Sequence, residues 1–310
     1  MAEFFSEYGL FLLKTLTLVI AILVTAGGVF ALGKKSKTGL TIKSLSDELD
    51  ETRKLMHKDV RGKKLKIKKS KTQKPTLFVV DFDGDIKASQ VSTLREEITA
   101  ILTIASPEDE IMIRLESPGG MVNGYGLAAS QLQRIRDRKI PLTVCIDKVA
   151  ASGGYLMAAV ANTIIAAPFS IIGSIGVVAQ LPNFHRFLKN HNIDVELLTA
   201  GQYKRTLTVF GENTKEGRQK FQEDLEKIHT AFRTYVLTNR VDLPIDEVAT
   251  GEHWLASDAL QLKLVDKLQT SDDWMLEKHA THQLISIDVK APTSFSEKIL
   301  KPATKLFSPF

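Results

Sequence analysis

The first pattern along the chain is a long apolar run, residues 8–33, reading YGLFLLKTLTLVIAILVTAGGVFALG. Its uncharged part, residues 15–33, is 19 residues long. A hydrocarbon core of ~30 Å takes about 20 helical residues. Lys14 lies at the start of that part, where its ammonium can reach back to the interface. A cleavable signal peptide and a buried core helix are the competing readings. The acidic stretch before the run (Glu3, Glu7) and the length of the run favour an uncleaved anchor over residues 1–33. The pattern then turns polar. Leu45, Leu49, Leu55 and Met56 predict a short amphipathic helix over residues 46–58, and RGKKLKIKKSKTQK (61–74) predicts extended or disordered chain.

From residue 75 apolar strand-like runs alternate with helical periodicity. LFVVDF (77–82), EIMIRL (110–115), LTVCI (142–146), residues 163–167 and residues 195–199 predict strands. Between them Val91, Leu94, Ile98, Ile101 and Leu102 predict a helix over 91–105, and further helices are predicted over 123–138, 152–162 and 184–189. A long helix follows over 216–240, with Phe221, Leu225, Ile228, Phe232, Tyr235 and Val236 on one face, then shorter ones over 254–263 and 271–282. Repeated β-then-α units predict an α/β fold with a parallel sheet flanked by helices. The domain plan is an anchor (1–33), a basic linker (34–74), a catalytic domain (75–290) and a C-terminal tail (291–310).

The composition, 44% hydrophobic and 25% charged, excludes a wholly disordered chain and a polytopic membrane protein. The net charge of +5 invites a nucleic-acid reading until it is divided along the chain. Residues 1–33 carry −1, residues 34–74 carry +10 and residues 75–310 carry −4. The basic excess sits beside the anchor and lacks interleaved aromatics, so a tether on anionic lipid headgroups is expected and no nucleic-acid partner. A single cysteine, Cys145, excludes an internal disulfide and a cysteine-based zinc cluster.

Candidate chemistry lies in three glycine- and serine-rich turns. In ESPGGMV (116–122), Gly119 and Gly120 let backbone N–H groups face a substrate with no Cβ in the way, at a helix start, which suits half of an oxyanion hole. A tight strand-to-helix turn would use the same glycines. In VAASGGY (149–155), Ser152 opens a helix of small residues and is either a nucleophile, with the Gly153 N–H as an oxyanion donor, or a plain helix cap. No Gly-x-Ser-x-Gly elbow occurs, which disfavours an α/β-hydrolase. None of the seven histidines lies in a context that suggests a triad, and His279 with His282 makes a poor zinc pair. The alternative base is an uncharged lysine, for which Lys204 in AGQYKRT (200–206) is the candidate. In the third turn, SIIGSIGV (170–177), the Ser174 hydroxyl is placed to orient such an amine.

Together, SPGG at 117–120, ASGGY at 151–155, GSIGV at 173–177 and AG-x-YK at 200–204 resemble the S49 peptidase family, the signal peptide peptidase A group, over about residues 75–270. The anchor, basic linker and single catalytic copy are similar to its membrane-anchored branch. The resemblance implies a Clp-protease/crotonase-like core of repeated ββα units. It implies a serine endopeptidase with Ser152 as nucleophile, Lys204 as general base and Ser174 orienting the base. Gly119, Gly120 and the Gly153 N–H would form the oxyanion hole, with no metal or cofactor. It further implies a peptide or protein substrate, apolar or misfolded, and a homo-oligomer whose neighbouring subunits shape the site, with Ser and Lys meeting within one chain or across two. The linker is shorter than that branch leads one to expect. A crotonase-like acyl-CoA enzyme and an inactive membrane scaffold of the same fold remain as rivals. The family implies a bacterial inner-membrane protein with its catalytic domain on the outer face, whereas Lys34 and the basic run after it place that domain in the cytoplasm by the positive-inside rule.

Overall fold

The computed structural model describes residues 7–19, 21–22, 39–65 and 74–290. Two compact units divide the chain, residues 1–41 with 289–310 and residues 42–288. The first contains the helix α1 (residues 7–19), whose apolar side chains are exposed, Phe11 and Leu13 among them. Thr15 and Thr17 donate their hydroxyls to the carbonyls of Phe11 and Leu13, at 2.9 and 2.7 Å, so neither polar group needs water. Among the described residues no helix is long and apolar enough to cross a membrane. Residues 1–6, 20 and 23–33 of the expected anchor, residues 34–38 and 66–73 of the linker and the tail from residue 291 lie outside the described residues.

The elements follow as β1 (Gly39–Ser44), α2 (Leu45–Arg61), β2 (Thr76–Asp83), α3 (Val91–Leu102), β3 (Glu110–Glu116), α4 (Val122–Asp137), β4 (Leu142–Ile146), β5 (Val149–Ala151), α5 (Gly153–Ala158) and β6 (Thr163–Ala166). After these come β7 (Ile171–Gly173), α6 (His185–Asn190), α7 (Lys215–Asn239), α8 (Ile245–Val248), β8 (His253–Leu255), α9 (Ala256–Gln261), β9 (Lys267–Leu268), α10 (Ser271–His279) and β10 (Gln283–Lys290). In the second unit β10, β2, β3, β4, β6 and β9 stand side by side in that order, all parallel. Successive residues of β2 serve opposite faces, as the pleat requires. Phe78, Val80 and Phe82 join Leu94, Ile98, Leu132 and Ile135 of α3 and α4. Leu77 and Val79 join Met112, Cys145, Ile165 and Leu284, against Leu45 and Leu49 of α2 and Trp274 of α10. Both faces are covered, which is why the central strands read as unbroken apolar runs. Each fully buried Leu or Ile contributes about 1.5–3 kcal/mol.

A second, small sheet sets the site. β5 pairs with β7 in parallel and β7 with β8 antiparallel. A bridge between Ser117 and Ala150 joins it to the end of β3.

Three expectations are corrected here. Residues 195–199 form no strand. Val195 and Leu197 alternate about Glu196, but among the described residues no neighbouring strand takes up their backbone groups, and the stretch is exposed. Trp254 lies in β8 and not in a helix, because Ile172 stands opposite it and the helix begins only at Ala256. The helix expected over 152–162 is short, ending at Ala158.

Cys145 lies in the core at 1% exposure. Burial first, then the Asp147 and Glu110 carboxylates, push its thiol well up. A buried thiol of this kind is inert. Native protein should leave a maleimide unreacted, with one thiol per chain released on unfolding. Labelling as fast in the native as in the unfolded state would contradict this burial.

Candidate active site

The parallel register of β5 and β7 pairs Ala151 with Gly173, so Ser152 and Ser174 follow as neighbours at the two strand ends. The Ser152 N–H donates to the Gly173 carbonyl at 2.8 Å. Both serines sit at φ 52°, in a region that a side chain rarely adopts. Such a conformation costs of order 1–3 kcal/mol and persists only where its surroundings enforce it. Ser152 precedes α5, yet its hydroxyl makes no capping bond. That removes the plain-cap reading and leaves a half-buried hydroxyl not committed to the helix. The Ser174 N–H donates to the Glu252 carbonyl at 2.6 Å, which ties the third turn to the residue before β8.

Close approach explains the glycines. Gly119 is at φ 89°, and a Cβ there would lie 2.7 Å from the Ser152 Cβ and 2.9 Å from the Gly153 nitrogen. A Cβ on Gly120 would lie 2.1 Å from the Ile86 carbonyl oxygen, which accepts the Met121 N–H at 2.8 Å. A Cβ on Gly153 would lie 2.3 Å from the Tyr125 ring, and one on Gly154 would lie 2.6 Å from the Ser117 carbonyl oxygen. The first and second turns therefore touch, with Gly119 pressed onto Ser152. Gly119 is buried and Gly120 is exposed. Gly153 is the first residue of α5, where a helix leaves its N–H groups without intrahelical acceptors.

Behind the turn lies a polar chain that the sequence reading passed over. Ser117 and Tyr125 are fully buried. Their hydroxyl oxygens are 2.5 Å apart, the Tyr125 hydroxyl donates to the Asp85 carbonyl at 2.8 Å, and the Gly119 N–H donates to Ser117 Oγ at 3.1 Å. Burial pushes the Tyr125 phenol up, so it keeps its proton. The Asp85 carboxylate accepts the Ser89 N–H and hydroxyl, and these bonds, the N–H first, hold its carboxyl below the usual carboxylate range. A serine read as a turn residue and a tyrosine in a helix gave no sign of meeting.

Lys204 lies in an exposed loop. Its N–H closes a turn on the Gly201 carbonyl at 3.1 Å, with Gly201 at φ 95°, and its side chain is exposed. Among the described residues no hydrogen bond joins its ammonium to Ser152 or Ser174. The surrounding segment exposes Val178, Leu198, Tyr203 and Phe210, the first two at 90%. The structure thus brings together Gly119, Ser152, Gly153 and Ser174, with which Lys204 shares no hydrogen bond among the described residues. His279 is held by Asp50 and Ser46, at 3.2 and 3.1 Å, on the α2 side of the sheet.

Comparison with known proteins follows the same lines. The profile of Peptidase family S49 matches residues 134–284, and that of Peptidase family S49 N-terminal matches residues 3–132. The probable protease SohB of Haemophilus influenzae is 46% identical over 97% of this chain and 93% of its own length. The probable protease SohB of Buchnera aphidicola subsp. Schlechtendalia chinensis is 60% identical over 66% of this chain and 67% of its own. A solved structure of a mutant 1510-N membrane-bound stomatin-specific protease, in complex with a substrate peptide, covers 76% of this chain and 100% of its own at 17% identity and a TM-score of 0.45. On the SohB relatives and the two matching profiles, this chain belongs to peptidase family S49 and is a protease.

Proposed function

We propose that the protein is a membrane-anchored serine endopeptidase in which Ser152 is the nucleophile and Lys204 the general base. The observation that carries this reading is Ser152 itself: a strained, uncapped serine pressed between Gly119 and the Gly173 carbonyl. In the proposed reaction the substrate carbonyl lies between the Gly119–Gly120 turn and the Gly153 N–H. Ser152 Oγ attacks the carbonyl carbon as its proton passes to the neutral Lys204 amine, and the oxyanion is held by backbone N–H groups. The C–N bond then breaks, with Lys204 protonating the leaving amine. Water hydrolyses the resulting ester with Lys204 again as base, which returns Ser152. Ser174 orients the lysine. The anchor rests on the apolar run at residues 15–33 and on the satisfied threonines of α1. The substrate proposed is an apolar or misfolded peptide, met at the bilayer.

The exposed position of Lys204 bears on where the pair meets. We propose that the dyad is completed between chains of a homo-oligomer, the segment around Lys204 covering its exposed Val178, Leu198 and Tyr203 against a neighbour.

Ser152→Ala and Lys204→Ala should each lower cleavage of a quenched apolar peptide by ~10,000-fold or more while leaving the melting temperature unchanged. A fluorophosphonate should label wild type and not Ser152→Ala; cleavage at wild-type rate by either variant would overturn the assignment. An amine accepts a proton only when uncharged, so kcat/KM should climb as pH rises from neutral into the alkaline range. A profile flat into acid would remove lysine as the base. Mixing the two inactive variants in equal amounts should restore about a quarter of wild-type activity, since random assembly pairs intact Ser152 with intact Lys204 in that fraction of sites. No recovery after verified subunit exchange would place the pair within one chain.

A further inference from the structure

We infer that Ser117 and Tyr125 are positioning residues that brace the oxyanion turn against the nucleophile's helix, and that they assign the turn's donor role to the exposed Gly120 N–H. The inference rests on the reading of Ser152 as nucleophile and goes beyond it to two residues outside the dyad.

Proton bookkeeping gives the chain of hydrogen bonds one direction. The Asp85 carbonyl can only accept, so the single Tyr125 hydroxyl proton goes to it. The Ser117 hydroxyl proton is then the one between the two oxygens, donated to Tyr125. That leaves a Ser117 lone pair for the Gly119 N–H. The order is Gly119 N–H to Ser117, Ser117 to Tyr125, and Tyr125 to Asp85. Each bond polarises the next. The Gly119 N–H is thereby drawn inward, away from a substrate, while the next N–H along the turn, that of Gly120, has no acceptor among the described residues.

The same two residues also reach the other wall. The Tyr125 ring lies where a Gly153 Cβ would be, and the Ser117 carbonyl oxygen accepts the Ala151 N–H at 3.0 Å, one residue before Ser152. Ser117 and Tyr125 thus touch both backbone segments that would hold the oxyanion. A shift of a few tenths of an ångström in either would misplace a donor for the transition state while leaving substrate contacts elsewhere intact.

The test uses the full chain in detergent micelles with Tyr125→Phe and Ser117→Ala. Tyr125→Phe keeps the ring beneath Gly153, so it removes the hydroxyl without emptying the core. Three quantities are read: kcat and KM on a quenched apolar peptide, the Ki of a peptide aldehyde that forms a tetrahedral adduct with Ser152, and the Ki of the matching alcohol, which forms none. The expected result for each variant is a kcat lower by about tenfold to a hundredfold, below the ~100- to 1,000-fold cost of deleting a donor outright. KM should stay within about twofold, the aldehyde Ki should rise in parallel with the loss in kcat, and the alcohol Ki should stay unchanged. Wild-type kcat and aldehyde affinity in Tyr125→Phe would overturn the inference. Equal weakening of aldehyde and alcohol would overturn it too, since a general loss of packing acts on both. Ser152→Ala serves as reference: if it still cleaves, the nucleophile reading falls and the brace with it, whereas a silent Ser152→Ala beside an unaffected Tyr125→Phe removes only the brace.

Discussion

The site depends on one steric fact, the absence of a Cβ at Gly119. With nothing there, the SPGG turn settles onto Ser152 at a separation that no other residue permits. That contact fixes the distance between the end of β3 and the end of β5, and the Ser117–Ala150 bridge fixes their register. Pairing with β7 then sets Ser174 beside Ser152. Three strand ends from two sheets meet within one residue of each other. The left-handed backbone at Ser152 and Ser174 is what their convergence costs, and the packed glycines around them enforce it.

Much of this was legible before any coordinates. β2, β3 and β4 are buried on both faces, so their apolar runs stand out, and α3 and α4 carry a 3.6-residue stripe because only one side packs. The glycine turns betrayed themselves by composition, and Ser152 and Ser174 with them. The errors have physical sources. β5, β7 and β9 are two or three residues long, too short for a period, and β10 alternates polar and apolar residues. Val195 and Leu197 carry the alternation of a strand, but a strand is made by its neighbour, which sequence does not display. Trp254 was drawn into a helix by the periodicity of the residues after it. Ser117 and Tyr125 are eight residues apart on different elements, and nothing local announces that the carbonyl of Asp85 will orient the pair.

The face that carries Lys204 differs from the rest of the body. The core side of the sheet is closed by α3, α4 and α5, whereas α7 buries only Val236 and the segment before it leaves large apolar side chains bare. The proposed chemistry would explain why a lysine is placed on that segment. An amine in open solvent keeps its proton and is a poor base. One that is walled in can lose it.

That exposed segment has a consequence for control. If the dyad is completed between chains as proposed, a nucleophile in each chain and a base supplied by a neighbour would make catalytic competence a matter of mass action. Newly made, dispersed chains would be latent without a propeptide or an inhibitor. Confinement to a two-dimensional surface raises encounter frequency, so crowding on that surface would act as the switch. The exposed Val178, Leu198, Tyr203 and Phe210 would then be the side chains through which that density is registered.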